Sequence, residues 1–365
     1  MLRSGFFQRR NLRVRYALAF ILTISVLHIV QLWQWEPPAH NLHQTTGIQP
    51  RDLHIFTDNA INNTAVIVPV NSGMLHFAEN MLCSLKQTDF NSSALIFWAL
   101  DAQAEIELKK RGYNTYRNPA LFGVSSDVNT HGNTAAYKQM MRERPVFYAD
   151  ILTSGIDILM LDADIVFWDN PLSVVPAADE RDSVDIIYST DAREFYTDKN
   201  AFRDNLRRGG YMPPICNGMF WMKARKETVS IWTDMLAAFE ASWWRLGLYR
   251  LIWFQDDQRG VDVLLNDGRA KVVAPFPTGI TGDMVINAND EKALKVRLLD
   301  QAQAVNGHLL LLREKSYEAN LARLRKQGKD RLLAHMNWST VTIGKVDGAK
   351  KKNIYYLDDQ GKCTL

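Results

Sequence analysis

Two aspartates one residue apart, Asp162 and Asp164, end the apolar run ILML in a chain of 365 residues. Alternation along a strand puts residues i and i+2 on one side of it. Two carboxylates placed that way repel each other unless positive charge sits between them. A hard divalent cation that prefers oxygen ligands, Mn²⁺ or Mg²⁺, meets that need and can bridge to a diphosphate. As a Lewis acid it would stabilise the charge that builds on a nucleoside diphosphate leaving a sugar. The plainer alternative is a solvated loop, where Asp-x-Asp is common. Here the pair terminates a wholly apolar segment, which favours the metal site.

Other residues carry chemistry at the ends of apolar segments. Val68, Val70 and Asn71 close the run AVIVPV, where backbone groups and the Asn71 amide could hydrogen-bond a nucleobase; an ordinary turn capped by Ser72 is the alternative. Asp101 follows the next apolar run and is a weaker nucleotide candidate. Lys138, on a helical stretch, could reach a phosphate or a hydroxyl, or simply be solvated. Asn217 offers a donor and an acceptor to sugar hydroxyls, and Gly218 beside it permits close approach of backbone to ligand. Asp257 and Gln258 open a helix just after the aromatic residues Trp243, Trp244, Trp253 and Phe254. A carboxylate favoured by the helix dipole is the alternative there. The tryptophans, with Trp221 and Trp232, divide between packing and a flat platform for an acceptor sugar.

These residues need a scaffold of alternating strands and helices. Residues 65–70 are short, apolar and β-branched, hence a buried strand. Met74, Leu75, Ala78, Met81, Leu82 and Leu85 recur at helical spacing over 74–87. Residues 94–100, 156–164, 185–190 and 218–223 read as further strands, with the Cys216-Asn217-Gly218 turn entering the last of them. Residues 102–111, 225–241 and 256–265 read as helices. A helical stretch begins at Ala135, and Pro145 lies early in a further helix that runs to Ser154. Alternation of this kind implies an α/β layer with a mainly parallel sheet, and ligands bind such sheets at the carboxyl ends of the strands.

Composition bounds the rest. Apolar residues are 47% and charged residues 23% of the chain, enough to bury a large core. The net charge of +3 is concentrated in Arg3, Arg9, Arg10, Arg13 and Arg15, and without them the chain is slightly acidic. No nucleic-acid partner is indicated. The uncharged stretch Tyr16–Trp33 would span roughly 26 Å as a helix, near the thickness of a thin secretory-pathway bilayer. With arginines before it, the bias of positive charge predicts a single-pass type II anchor; a cleaved signal peptide is the competing reading. The expected division is a cytosolic tail over 1–15, a transmembrane signal anchor over 16–33, a stem over 34–64 and a lumenal catalytic domain over 65–365. That topology predicts a Golgi membrane protein. Sequons at Asn62, Asn91 and Asn337 suit a lumenal glycoprotein. Cys83, Cys216 and Cys363 allow one disulfide and leave one thiol, with the pairing open.

Taken in order, VPVNSG (68–73), MLCSLK (81–86), Tyr137 and Lys138, DILMLDADIVFWDNPL (157–172), CNGMFWMKA (216–224), Asp257-Gln258, FPTG (276–279) and HMNWSTVTIGK (335–345) resemble the nucleotide-diphospho-sugar transferase family. That family includes the plant extensin arabinosyltransferases and the rhamnogalacturonan xylosyltransferases. The resemblance covers about residues 65–362. It implies a GT-A-type, Rossmann-like mixed sheet flanked by helices and a metal-dependent nucleotide-sugar donor, expected to be UDP-linked. It further implies a glycan or glycoprotein acceptor and retention of the donor's anomeric configuration. By the same resemblance His335 joins Asp162 and Asp164 as a metal ligand, and Asp162 also serves the donor. Gly344 and Lys345 hold the diphosphate, and Asp257, Gln258 and Asn217 serve the donor sugar at the reacting centre.

Two alternatives remain at this level. The run Asp162-Ala163-Asp164-Ile165-Val166 also fits haloacid-dehalogenase-type phosphatases, in which the first Asp is a nucleophile and the second a general acid/base. In those enzymes the motif opens the domain, whereas α/β sequence from Ala65 precedes it here. The other alternative is a catalytically inactive carbohydrate-binding protein on the same fold.

Overall fold

The computed structural model describes residues 16, 18–26, 46–121, 135–201, 213–240, 256–281, 293–337 and 344–365. Two compact units result, Met1–Asn41 and Leu42–Leu365. In the first, residues 18–26 are helical. This corrects the expected membrane span over 16–33: among the described residues no helix is long and apolar enough to cross a membrane. The described helical residues 18–26 rise about 14 Å, less than half the roughly 30 Å of a bilayer's hydrocarbon core. The type II topology, the membrane partner and the Golgi placement rested on that span and are withdrawn with it.

The second unit is built on an eight-stranded sheet in the order β3-β2-β1-β4-β7-β6-β9-β8. Its strands are β1 (Thr64–Val70), β2 (Leu95–Ala99), β3 (Asn114–Tyr116), β4 (Asp157–Leu161), β6 (Ile186–Thr190), β7 (Ile215–Met222), β8 (Ala270–Val272) and β9 (Leu294–Leu298). Strand β7 runs antiparallel to both β4 and β6, and the other pairs are parallel. The sheet is therefore mixed. Helices α1 (Leu75–Leu85), α2 (Ala102–Lys110), α3 (Ala135–Thr153), α4 (Lys226–Glu240) and α5 (Asp257–Leu264) complete this layer.

Every residue of β1, β2 and β4 is buried, as continuous apolar strands covered on both faces must be. Alternation divides them between two cores. Ile67, Trp98 and Met160 join Phe147, Tyr148 and Trp232 on one side. Val66, Val68, Phe97 and Leu159 join Met81 and Leu85 on the other. Trp98 stacks on Phe147 with ring centroids 4.0 Å apart. Trp221 and Trp232 are wholly buried, so packing claims both; Trp243, Trp244 and Trp253 lie outside the described residues.

Helix α3 continues through Pro145, where the sequence suggests two helices. Buried Phe147, Tyr148 and Ile151 on the following turns hold it against the sheet despite the lost backbone donor. Residues 46–64, read from composition as part of a stem, pack into the core at Ile48 and Phe56. The Asp150 carboxylate accepts the N–H groups of Gly47 and Ile48 at 2.6 and 3.1 Å.

A second, three-stranded sheet has the order β10-β11-β5, with β5 Ile165–Phe167, β10 Ala304–Asn306 and β11 Leu333–His335. Helices α6 (Gly307–Leu312), α7 (Glu314–Lys326) and α8 (Lys345–Lys351) accompany it, and its core includes Val166, Val305, Leu309, Leu321 and Met336. A disulfide joins Cys83 on α1 to Cys363, leaving Cys216 free and buried.

Candidate active site

Asp162 and Asp164 do not lie on a strand. Strand β4 stops at Leu161, and Asp162-Ala163-Asp164 turns the chain into β5, which belongs to the smaller sheet. The turn is closed by the Ile165 N–H donating to the Asp162 carbonyl at 3.2 Å. It is pinned to both sheets: Asp162 N–H donates to the Gly218 carbonyl at 2.7 Å, and Met336 N–H donates to the Asp164 carbonyl at 3.1 Å. The expected strand alternation is thus replaced by a turn that crosses between sheets.

The third candidate ligand arrives through strand register. Strand β11 pairs antiparallel with β5 so that His335 lies opposite Ile165, next to Asp164. The imidazole Nε2 stands 3.3 Å from Asp164 Oδ1 and 3.5 Å from Asp162 Oδ2. One ligand atom from each of the three residues lies within 4.8 Å of the other two. Two carboxylates and an imidazole at that spacing are a fitting donor set for Mn²⁺ or Mg²⁺. Burial pushes the Asp164 carboxyl up, but Lys345 and His335 outweigh it and hold the group well below the usual carboxylate range. Burial opposes charge on His335 as well, yet Asp164 and the neighbouring groups raise its pKa well above the ordinary value. Lys345, the first residue of α8, places Nζ 2.6 Å from Asp164 Oδ2. Gly344 precedes it with φ of +79°.

Asn217 and Gly218 sit inside β7 rather than in a turn before it. The β6–β7 register jumps from Tyr188↔Phe220 to Ser189↔Cys216, so β7 bulges at residues 217–219, a device that re-aims side chains beside functional sites. Both amide atoms of Asn217 are buried without a hydrogen-bond partner. Its backbone N–H donates to Gln258 Oε1 at 3.2 Å, and Gln258 Nε2 donates to Asp191 Oδ2 at 3.2 Å. Asp256 caps α5 by accepting the Arg259 N–H at 2.8 Å, which leaves Asp257 turned into the protein, almost wholly buried.

Arg144 escapes sequence reasoning. It is buried on α3, donates to the Tyr148 hydroxyl at 2.9 and 2.7 Å, and lies 3.4 Å from Asp257 Oδ2 and 3.9 Å from Asp162 Oδ1. Burial opposes its charge, but Tyr148, Asp257 and Asp162 prevail and raise its pKa. Its only sequence signal is helical spacing with Met141 and Tyr148 on an otherwise apolar face. Asp191, one residue beyond β6, is a further omission; it also accepts from Asn337 Nδ2 at 3.1 Å.

Burial pushes Asp257 up to about 6, against the pull of Arg144. A carboxyl raised in the fold favours the protonated state, so its contribution is full below the unfolded value of 3.8 and is lost as pH rises through about 6. A rise from 3.8 to about 6 corresponds to about 3 kcal/mol. With metal chelated, Asp257→Asn should therefore gain stability relative to the parent by about that amount between pH 4 and 7. Denaturant unfolding across that range checks it, and parallel pH profiles for the two proteins would contradict it.

The nucleotide candidates fall out differently. Val68 and Val70 are buried in β1, and Asn71 Oδ1 is buried without a hydrogen bond at its carboxyl end. Both Asp101 oxygens accept backbone N–H groups, from Ala104 at 2.8 Å and Ser72 at 2.7 Å; it caps α2 and ties down the turn after β1. The Lys138 side chain lies outside the described residues. Asn337, in the third sequon, is buried and hydrogen-bonded.

Among solved structures the chain is similar to apo mouse xyloside xylosyltransferase 1, at 12% identity over 76% of this chain and 98% of that one, with a TM-score of 0.43. The galactosyltransferase LgtC with donor and acceptor sugar analogs gives 12% identity, 81% and 98% coverage, and 0.42. The apo glycosyltransferase GlyE of Streptococcus pneumoniae gives 12%, 80% and 60%, and 0.39. No curated protein matches the chain in sequence. A family description does: residues 91–348, which include the aspartate pair, the β7 bulge, the head of α5 and His335, match the model of the nucleotide-diphospho-sugar transferases. With most of its length matched, this chain belongs to the nucleotide-diphospho-sugar transferase family, as a glycosyltransferase of GT-A type.

Proposed function

We propose that the protein transfers a pentose or hexose from a UDP-linked donor to a glycan or glycoprotein acceptor, with a divalent metal and with retention of configuration. The observation that carries this reading is the Asp162, Asp164 and His335 cluster, three ligand atoms brought within 4.8 Å by separate segments. When bound there, Mn²⁺ or Mg²⁺ supplies Lewis-acid stabilisation of the departing diphosphate. The protein's own groups do the rest. Asp162 and Asp164 provide the negative charge that attracts the cation, and His335 completes the set as a neutral imidazole. Lys345 lies within a side chain's reach of the same centre and suits an anionic phosphate oxygen.

Asn71, at the carboxyl end of β1, suits the base, and Lys138 the phosphate or an acceptor hydroxyl. Asn217 has a donor and an acceptor to spare for sugar hydroxyls, and its buried, unsatisfied state is costly unless a ligand fills it. Asp257 and Gln258 stand beside it, joined through the Gln258–Asn217 bond. Asp257, ionised above about pH 6, would face positive charge growing at the anomeric carbon, while Arg144 keeps its carboxylate oriented. The ordered motif blocks support the finer likeness to extensin arabinosyltransferases and rhamnogalacturonan xylosyltransferases. The phosphatase alternative is disfavoured, because the Asp162–Asp164 pair lies within the residues that match the sugar-transferase family.

Asp164→Ala should lower UDP release from a panel of UDP-sugars, read by mass spectrometry, by about 10³-fold, as losing several kcal/mol of charge stabilisation requires. Chelation of the parent should do the same. Turnover that survives either treatment would refute the metal-dependent scheme.

A further inference from the structure

Cys216 is absorbed by neither the metal set nor the sugar-facing residues. It is buried on β7, and its sulfur lies 3.5 Å from His335 Nδ1. The hydrogen bonds around it fix the direction of the interaction. Asn337 Oδ1 accepts the Gly307 N–H at 3.1 Å. The amide's other end must then be its NH₂, which has only donors. That nitrogen lies 3.1 Å from Asp191 Oδ1 and 3.7 Å from Cys216 Sγ. The sulfur is therefore an acceptor on the Asn337 side.

Its relation to His335 follows from the imidazole. Nε2 is the nitrogen turned toward Asp162 and Asp164, so it is the one that ligates. A neutral imidazole ligating through Nε2 carries its proton on Nδ1. A buried N–H left without an acceptor costs about 1–3 kcal/mol, and metal-ligating histidines ordinarily give that proton to a carboxylate, a carbonyl or water. Here the atom at Nδ1 is Cys216 Sγ.

We propose that Cys216 is a positioning residue of the metal centre: its sulfur, held by Asn337, accepts the His335 Nδ1–H and so sets the ring's tautomer and angle toward Asp162 and Asp164. The relay begins at Gly307, where a Cβ would come within 2.1 Å of the Asn337 carbonyl oxygen; that close packing holds Asn337 in place. Strand β7 thus serves the site twice, with Gly218 against the Cε1 edge of the His335 ring and Cys216 at its Nδ1.

This inference rests on the reading of Asp162, Asp164 and His335 as the metal ligands, and its test separates the two. Mn²⁺ is titrated by electron paramagnetic resonance into the parent, Cys216→Val, Cys216→Ser and His335→Ala, without nucleotide, alongside thermal unfolding in chelator. Cys216→Val puts methyl groups where the sulfur stood and removes the acceptor; it should weaken Mn²⁺ binding about 10- to 100-fold with the metal-free melting temperature little changed. Cys216→Ser restores an acceptor and should return binding to within a few-fold of the parent. Cys216→Ala carries the same expectation as valine should the branched side chain disturb β7. Parental affinity in the valine and alanine variants, with affinity lost in His335→Ala, would overturn the positioning role and leave the metal site standing. Parental affinity in His335→Ala would instead overturn the ligand set itself.

Discussion

Gly218→Ala should abolish Mn²⁺ binding and lower donor turnover by about 100-fold or more, the scale expected when catalytic groups are displaced by about an ångström. A Cβ built on Gly218 lies 2.1 Å from His335 Cε1, 2.8 Å from His335 Nδ1 and 2.8 Å from Asp162 Oδ2. No real contact is so short, so the new methyl must push the imidazole, the carboxylate or the strand. The strand is the stiffest of the three, because the Gly218 carbonyl accepts the Asp162 N–H and the flanking Leu161↔Met219 pair belongs to the sheet. The ligands therefore move. The requirement is one of space, since the backbone here is not left-handed. Gly155→Ala is the contrast: a Cβ there meets nothing within 4 Å, and only its φ of +86° opposes the change. That variant should lose about 1–2 kcal/mol of stability and keep its Mn²⁺ affinity. Electron paramagnetic resonance titration and UDP release read both variants. Parental metal affinity in Gly218→Ala would mean that this cluster is not where the cation binds.

The parts of the protein that sequence reasoning reaches are those whose signal is local. Strands β1, β2 and β4 announce themselves as uninterrupted apolar runs, and α1, α2 and α4 by helical spacing. The three-residue strands β3, β8, β10 and β11 do not. Segments such as AVN and LAH carry no periodicity, and only pairing with distant partners makes them strands. That matters at the site, because the register of β11 against β5 delivers His335 to Asp164. The resemblance to a family supplied His335; nothing in the residues around it would have. The aspartate pair was recognised for its residue types and its place after an apolar run, although the geometry is a turn between sheets. Asn217 and Gly218 were likewise found by type and then met inside a bulged strand.

Arg144, Asp191 and Cys216 were missed for a shared reason. Each contacts a partner far away in sequence, respectively Asp257, Gln258 and His335, and the residues beside it in the chain carry no sign of that partner. The Cys83–Cys363 pairing is of the same kind, with 280 residues between its ends. The apolar N-terminal stretch misled in the opposite direction. Local hydropathy suggested a spanning helix, and the described helical run is too short for one.

Lys345→Met should move two affinities in opposite directions. In the protein as described, the Lys345 ammonium is 2.6 Å from Asp164 Oδ2 and 15% exposed, with Phe77 beneath it at 6.0 Å from the ring centroid. It is a cation resting on a candidate metal ligand, and a divalent ion at Asp164 would have to displace or share it. A charge-assisted hydrogen bond of this kind is worth about 1.5–3 kcal/mol, so removing the competitor should tighten binding of Mn²⁺ alone by about tenfold or more. Methionine fills nearly the same volume against Phe77, which keeps α8 in place. Once released, the same ammonium is the nearest cation available to a diphosphate at the centre. UDP binding at saturating Mn²⁺, read by calorimetry, should accordingly weaken by about 10- to 100-fold in the variant. The sign of the pair of changes is the test. If both affinities fell together, Lys345 would be holding α8 against the site rather than exchanging between carboxylate and phosphate; if neither moved, the Asp164 contact would have no bearing on metal or donor.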